Sequence, residues 1–269
     1  MFAKSAPKLF SALPGVFWIF ALNGLCGEEP NAEAKAAPLN VGGIDSKNGA
    51  TVTGIVKFSG DKPERNPIQQ VTVTAFCAAQ HKDALPLSED CVCGRNGDDD
   101  TLQNVLVYVS KGLEGKKFDV PAEAVVLDQH RCMYAPHVVA AMAGQKVEIR
   151  NSDDTLHNVM SSSVENKNFN VGMPFKGDKL PRVFDAAEFK VTLKCALHPW
   201  MTAYLHVLEH PFFAVTQADG SFTLKGLPPG EYQISVLHET ASLEARPSVQ
   251  TLKLGAGEMR KIEFVYKKK

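Results

Sequence analysis

The chain has 269 residues, of which 44% are hydrophobic and 22% are charged, and its formal net charge at pH 7 is −1. This length and apolar content suit one large or two ordinary domains with a proper core, and the near-neutral charge argues against nucleic acid as a partner. The 20 glycines and 16 prolines, without long segments of helical periodicity, predict an all-β protein with many turns.

Residues 1–27 are predicted to be an export signal. Lys4 and Lys8 form its basic start, and residues 9–25 form its apolar run. A retained transmembrane anchor is the alternative, but Pro14 interrupts the run, which also falls short of the usual ~20 clean apolar residues. Cleavage is therefore favoured, and it predicts an exported protein of the periplasm or the cell surface.

Cys26 raises a second alternative, a lipid anchor at the mature N-terminus. Leu25 precedes it where a small residue is normally required, so simple cleavage is favoured over lipidation. Residues 28–49 mix Ala, Glu, Pro, Asn and Gly without periodicity, which predicts a flexible linker.

Folded structure is predicted to begin with three β-strands. Residues 51–58, 71–76 and 105–109 are apolar runs, largely alternating with polar residues. An irregular insert, residues 77–103, lies between the second and third strands. It contains three consecutive aspartates, but no spaced set of calcium ligands follows them, so a solvated loop is predicted.

Three potential metal ligands fall within seven residues: Cys195, His198 and Met201. They follow residues 189–193, whose alternation predicts a strand that runs into a loop. A second imidazole, His157, lies upstream. Two His, one Cys thiolate and a weak axial Met form the ligand set of a blue-copper electron-transfer site.

Each of these side chains also has a plain structural interpretation. A Cys after a strand is usually a small buried hydrophobe, and a single His or Met is more often part of a core than a ligand. Zinc also accepts two His and one Cys, with water in the fourth position. A glycine turn, a strand, His-Asn, another strand and Cys-x-x-His occur together here in an order that resembles a family of copper proteins, and this resemblance favours copper.

The segment from about Tyr134 to Leu208 resembles the cupredoxins, the family of small copper proteins that includes plastocyanin and azurin. Leu156-His157-Asn158-Val159 is similar to the His-Asn ligand motif of that family, and Cys195-Ala196-Leu197-His198 is similar to its second ligand loop. The resemblance implies an all-β Greek-key β-sandwich or barrel. The His-x-x-Met spacing is shorter than in plastocyanin and azurin. Because the loop carries a single Cys, a mononuclear site is predicted.

The resemblance also implies one copper ion of type 1 and an unidentified redox partner protein. The implied ligands are His157, Cys195, His198 and, as the axial thioether, Met201. Asn151 and Asn158 are candidates for hydrogen bonds that fix the ligand loops. Pro199 and Trp200 are predicted to form the partner-docking surface, and inward packing of Trp200 is the alternative.

Residues 219–236 resemble the closing half of carboxypeptidase-regulatory-like domains, which are small transthyretin-like β-sandwiches. Asp219-Gly220-Ser221-Phe222 and Leu227-Pro228-Pro229-Gly230 are the motifs that carry this resemblance. We expect the copper unit to be inserted into this sandwich, and a separate C-terminal module is the alternative. The expected boundaries are 50–112 plus 210–269 for the sandwich and 113–209 for the cupredoxin-like domain.

Four cysteines remain once Cys26 is cleaved off and Cys195 is assigned to copper, which suits an oxidising compartment. Cys77 and Cys132 each border a strand-like segment, and their disulfide is the preferred pairing. Cys91 and Cys93 are too close for an easy mutual bridge and stay unassigned. A second metal site built from Cys77 and Cys132 with His81 and His137 is the less favoured alternative.

The function that these features predict is electron transfer, with the protein acting as a carrier and not as an enzyme. The sequence shows no catalytic triad, paired-carboxylate site, nucleotide loop or His-x-His cluster. Two alternatives stay open. One is a binding or structural module whose metal site is vestigial or holds zinc, and the other is a copper enzyme with an open axial position.

Overall fold

The structure is a computed structural model that describes residues 48–269. The predicted signal peptide, Cys26 and nearly all of the predicted linker lie outside the described residues. The described part is almost entirely β-structure, which confirms the predicted fold class. The strands in chain order are β1 (Ala50–Phe58), β2 (Cys93–Asn96), β3 (Asp99–Leu102), β4 (Leu106–Lys111), β5 (Val125–His130), β6 (Met133–Ala135), β7 (Val138–Met142), β8 (Lys146–Asn151), β9 (His157–Ser162), β10 (Asn170–Met173), β11 (Lys179–Val183), β12 (Glu188–Lys194), β13 (Thr202–Leu208), β14 (Phe213–Val215), β15 (Ser221–Leu227), β16 (Gly230–Leu237), β17 (Leu243–Ala245), β18 (Val249–Leu254) and β19 (Met259–Lys268).

The strands from the two ends of the described chain share sheets. One sheet has the order β17-β19-β1-β3-β2, with β15 also paired to β1, and a second has the order β14-β4-β16-β18. Strand β1 alternates strictly between buried and half-buried residues because one face of a strand is covered and the other is not. Side chains from both sheets, such as Val52, Phe264, Val107 and Ile234, form one hydrophobic core.

The central strands form two further sheets. Their orders are β10-β9-β12-β13-β7 and β11-β8-β5-β6. Val159, Val191 and Leu205 from the first of these pack with Leu127 and Ile149 from the second in a separate core cluster. Strand pairing of this kind is compatible with a copper unit inserted into a sandwich, and that nested arrangement stays a prediction.

The strand predicted for residues 71–76 is wrong. This segment forms a 3₁₀ helix, Gln69–Val73, followed by the α-helix α1, Ala75–Gln80. Val71 and Cys77 are fully buried and pack into the core of the central sheets, so tertiary contacts override the β-propensity of the segment. Within residues 48–269, no helix is long and apolar enough to cross a membrane.

The insert predicted to be irregular contains a hairpin. Strands β2 and β3 pair with each other, and β3 also pairs with β1. Two of the three consecutive aspartates lie in β3 and form ion pairs with lysines, Asp99 with Lys57 and Asp100 with Lys62. They therefore belong to a strand of the sheet and not to a solvated loop.

A buried ionic contact joins the central sheets to the segment after β16. His137 Nε2 lies 3.5 Å from Glu239 Oε1, and His137 Nδ1 lies 3.3 Å from Glu89 Oε2. Burial alone lowers the pKa of His137, but its contacts with Glu239 and Glu89 outweigh burial and raise the pKa to about 10. His137 is therefore charged at neutral pH.

This contact predicts a loss of stability at high pH. Because the folded-state pKa of His137 is raised, its stabilising contribution is complete below the unfolded-state pKa of ~6.5 and disappears as the pH rises through 10. We expect the free energy of unfolding to fall by a few kcal/mol, roughly, between pH 7 and pH 10.5. Urea unfolding at both pH values measures the loss. The control is Glu239→Gln, which should show a clearly smaller pH effect, and an equal effect in both proteins would contradict the assignment.

Candidate metal centre

The loop between β12 and β13 brings the predicted sulfur and imidazole groups together. Cys195 directly follows β12, and Met201 directly precedes β13. The backbone N–H of Cys195 donates to the carbonyl of Met201 at 3.2 Å, and the N–H of Met201 donates to the carbonyl of His198 at 2.8 Å. These two hydrogen bonds close the loop and hold its backbone in place.

His157 reaches the same place from a neighbouring strand. It is the first residue of β9, which pairs with β12 through the register Lys194–Met160. The side chains of His157 and Cys195 are buried in the core of the central sheets, with exposed fractions of 0% and 1%, and His198 is exposed by only 4%. Three metal-binding groups predicted from the sequence therefore meet in the interior.

The three donor atoms form a compact triangle. Cys195 Sγ lies 3.4 Å from His198 Nδ1 and 3.9 Å from His157 Nδ1, and the two Nδ1 atoms are 2.9 Å apart. A point equidistant from all three atoms lies about 2 Å from each, close to the ~2.0–2.3 Å of metal–nitrogen and metal–sulfur bonds. The geometry of the donor atoms fits a bound metal ion with trigonal His₂Cys ligation.

The electrostatics of the triangle favour the metal-binding form of the thiol. Burial alone raises the pKa of Cys195, but contacts with His157 and His198 outweigh burial and lower the pKa to about 6. The thiolate is the form that binds metals. At neutral pH the sulfur is therefore ready to act as a ligand.

Met201, the predicted axial ligand, is fully buried and belongs to the same core cluster as Cys195. Its backbone is held by the two hydrogen bonds that close the loop. The structure places Met201 in the interior beside the ligand loop. Its role as an axial ligand stays a prediction.

Asp153 is a site residue that the sequence analysis missed. Its Oδ2 lies 2.9 Å from His157 Nε2 and accepts the backbone N–H of Cys132 at 2.7 Å, while its Oδ1 accepts the N–H of Arg131 at 2.7 Å. With Nε2 of His157 donating to this carboxylate, Nδ1 is left as the ligand atom. Asp153 thus links a ligand imidazole to the turn that carries Cys132.

Asp153 is held as an anion despite being buried. Burial alone raises the pKa of its carboxyl group, but His157 and the N–H groups of Cys132 and Arg131 lower it below the usual range. A carboxylate in this position orients the imidazole and increases its basicity as a ligand. Its position four residues before the histidine was the only sequence signal, and that spacing is common without such a contact.

Replacing Asp153 by Asn is expected to weaken metal binding by ~10–100-fold, because outer partners of ligand imidazoles typically contribute that much. Metal affinity measured by competition with a chelator tests this result. Asp154→Asn is the matched control, since Asp154 is exposed and adjacent. Equal affinities in the two variants would show that Asp153 does not support the site.

The two predicted asparagines form hydrogen bonds with the segments that carry the candidate ligands. Asn158 Oδ1 accepts the backbone N–H of Ala196, which is adjacent to Cys195, at 2.6 Å. The amide nitrogen of Asn151 donates to the carbonyls of Thr155 and Met173, both at 2.9 Å. Asn158 therefore ties the two ligand segments together, and Asn151 fixes the turn before His157.

Cys77 and Cys132 form a disulfide in the structure. Both sulfurs and one ring nitrogen of His198 lie within 4.8 Å of one another. The indole of Trp200 packs against the His198 ring at 5.1 Å between ring centroids, and its N–H donates to the carbonyl of Cys132 at 2.9 Å. The disulfide and the half-buried indole thus cover His198.

Cys91 and Cys93, which the sequence left unassigned, are free in the structure, with their sulfurs 3.9 Å apart. Cys91 packs in the core shared by β1 and β16, and Cys93 lies at its edge. Burial is the main cause that raises the pKa of Cys91, to about 12. Both thiols belong to the first core and not to the metal centre.

No protein-family model matches this chain, and no curated protein matches it significantly. Solved structures that resemble it include a copper-containing nitrite reductase from Thermus scotoductus SA-01, with 17% identity and a TM-score of 0.31 over 38% of this chain and 26% of that chain. A purple cupredoxin from Nitrosopumilus maritimus shows 23% identity and a TM-score of 0.27 over 31% of this chain and 98% of that chain. A Cu(I) form of an amicyanin variant shows 18% identity and a TM-score of 0.29 over 38% of this chain and 97% of that chain. The alignment with the nitrite reductase thus spans about a quarter of that enzyme.

Proposed function

We propose that this protein is an exported, mononuclear type 1 copper protein that carries single electrons. The observation that carries the proposal is the buried triangle of His157 Nδ1, Cys195 Sγ and His198 Nδ1. A thiolate with two imidazoles is a ligand set that suits copper in both oxidation states. Copper bound there supplies a one-electron couple.

The residues of the chain contribute rigidity. The ligands lie on a strand and on a loop that is closed by backbone hydrogen bonds, and Asp153 holds one imidazole in a single orientation. Fixed ligands reorganise little when the charge of the site changes. We propose Met201 as the weak axial ligand, which together with the polarity around Cys195 tunes the reduction potential.

The burial of the ligands supports a carrier more than an enzyme. His157, Cys195 and His198 are all nearly inaccessible to solvent, and Met201 is fully buried. Among the described residues, this burial leaves a substrate little direct access to the triangle, whereas electron transfer does not require contact between a substrate and the metal. The copper-enzyme alternative requires an open coordination position.

Exposed apolar side chains next to the ligands in sequence support an apolar docking face. Leu156 and Leu197 each adjoin a ligand in sequence and are 47% and 50% exposed, and Pro199, which follows His198, is also exposed. Trp200 is half-buried, and its N–H is donated to the carbonyl of Cys132. We propose that Leu156, Leu197 and Pro199 form the contact with the redox partner, with Trp200 acting as an internal support.

Two substitutions distinguish residues that dock the redox partner from residues that support the site. Trp200→Ala should lower the free energy of unfolding by about 2 kcal/mol, less than the ~3–5 kcal/mol for a fully buried aromatic ring, and should perturb the site. Leu197→Lys should leave stability and the visible spectrum unchanged but slow electron self-exchange between oxidised and reduced protein about tenfold, because two like charges then meet. Urea unfolding and NMR line broadening measure these effects. Slower exchange in Trp200→Ala without a loss of stability would reverse the two roles.

We further propose that the strands at both ends of the described chain form a transthyretin-like sandwich that carries the copper unit. Shared sheets and a shared core support this assignment. We also propose a location in the periplasm or at the cell surface, which the Cys77–Cys132 disulfide supports because such bonds persist in oxidising compartments.

Voltammetry of the copper-loaded protein tests the proposed function. A carrier should give one reversible one-electron wave that is unchanged by dioxygen or nitrite. A catalytic current with either molecule would instead indicate an enzyme. A protein that binds only zinc and shows no wave would indicate a binding or structural module.

A further inference from the structure

A second group of metal-binding atoms lies beside the first. The sulfurs of Cys77 and Cys132 lie within 4.8 Å of a ring nitrogen of His198, and all three residues are buried. Cys132 also belongs to a group with Asp153 and His157 in which donor atoms satisfy the same limit. Cys132 therefore stands next to both imidazoles of the metal centre.

The position of Cys132 is held by contacts other than the disulfide. Arg131 and Cys132 form the two-residue turn between β5 and β6, and both have positive φ angles, 52° and 55°. Such a turn normally carries Asn and Gly, so other contacts must stabilise it here. Asp153 accepts both N–H groups of the turn, and Trp200 donates to the carbonyl of Cys132.

The helix that carries Cys77 is likewise fastened to this turn. The guanidinium of Arg131 donates to the carbonyl of Gln80, the last residue of α1, at 2.8 Å. His81 Nε2 donates to the carbonyl of Arg131 at 2.7 Å. These bonds do not involve sulfur, so they keep Cys77 and Cys132 adjacent when the disulfide is broken.

We propose that Cys77 and Cys132, once reduced, form with His198 a second soft-metal site that takes Cu(I). Two thiolates and one imidazole are ligands that select soft or borderline metals. Reduction by an external dithiol breaks the S–S bond, places two electrons and two protons on the sulfurs and leaves the dithiol as its own disulfide. Binding of Cu(I) then releases the thiol protons to solvent.

The redox state of the Cys77–Cys132 pair therefore determines which sulfur ligands the metal meets. His198 belongs to both groups, so a metal ion held by the dithiol form also engages an imidazole of the triangle. With the disulfide closed, the Cys195 thiolate is the only sulfur anion at the centre among the described residues. Oxidation of the pair therefore directs the metal to Cys195, and we place thiol oxidation before metal loading.

The test uses a chain in which Cys195 cannot bind metal, so its outcome is independent of the proposed function. The full chain carries Cys26→Ser, Cys91→Ala, Cys93→Ser and Cys195→Ser. Cu(I) retained against a chromophoric chelator is measured without oxygen, before and after reduction by a dithiol that is then removed. We expect no retained Cu(I) in the disulfide form and one ion per chain in the reduced form.

Two further substitutions in this variant test which residues bind Cu(I). Cys77→Ser should abolish the gain on reduction, and His198→Ala should weaken Cu(I) binding at least about tenfold. No gain on reduction, or unchanged affinity in His198→Ala, would overturn the proposal. If the multiple variant does not fold, Cu(I) retention is compared between the single variant Cys195→Ser and the double variant Cys195→Ser, Cys77→Ser. Cys91 and Cys93 are present in both proteins, so any Cu(I) that they bind contributes equally to both.

Discussion

Replacing Cys195 by Ser is expected to abolish the intense visible absorption that we propose for the copper-loaded protein. That absorption arises from charge transfer between the thiolate and Cu(II), and a hydroxyl group does not replace it. Copper affinity should fall by more than about 100-fold, since a direct ligand contributes more than the outer partners that support it. Absorption spectra and chelator competition on the purified variant measure both effects.

Cys93→Ser is the matched control for this substitution. Cys93 is also a free cysteine, but it lies at the edge of the first core and away from the metal centre. The control should keep both colour and affinity. A coloured Cys195→Ser variant would contradict the ligand assignment, and so would loss of colour in the control.

Removing the disulfide with Cys77→Ala and Cys132→Ala should lower the free energy of unfolding by ~4 kcal/mol. The two residues are separated by 55 positions, and the chain-entropy model assigns about this value to closing a loop of that length. Alanine at both positions avoids leaving a buried thiol unpaired. The midpoint of urea unfolding, compared with that of the oxidised wild-type chain, measures the loss.

Reduction of the wild-type protein provides the internal control, because it should shift the midpoint in the same direction as the double substitution. A double variant as stable as the oxidised wild type would mean that the cross-link does not stabilise the fold. A shift on reduction that also occurs in the double variant would point to thiols other than this pair.

The strands with clear alternation were predictable because one face of each is covered. Residues 51–58 have this pattern, and β1 shows it in its burial. Residues 71–76 have a similar pattern but form helices. There the contacts of Val71 and Cys77 with a distant core decide the conformation, and no local pattern in the sequence reports such contacts.

The sequence predicted that His157, Cys195 and His198 would lie together, and the structure brings them together. A thiol, two imidazoles and a thioether in this order indicate a soft-metal site because these side chains carry the ligand chemistry themselves. The contact by which Asp153 supports His157 was not predictable. Asp153 acts through the turn at Arg131 and Cys132, about 20 residues earlier in the chain, and only the folded structure shows that contact.

The position of Trp200 beside the site could not be predicted from the sequence either. Trp200 has an amphipathic side chain that suits either a docking surface or an interior support. The structure shows its N–H donated to the carbonyl of Cys132. Trp200 and Cys132 are far apart in the chain, and the fold brings this carbonyl close to the indole. The choice between the two roles of Trp200 therefore depends on tertiary structure.

We propose above all that the buried triangle holds copper with a thiolate ligand. Metal analysis together with a visible spectrum of the protein, purified with its disulfide intact, tests it most directly. We predict one copper ion per chain and an intense visible band in the oxidised protein that disappears on reduction by one electron. Zinc at one ion per chain, or copper without such a band, would contradict the claim.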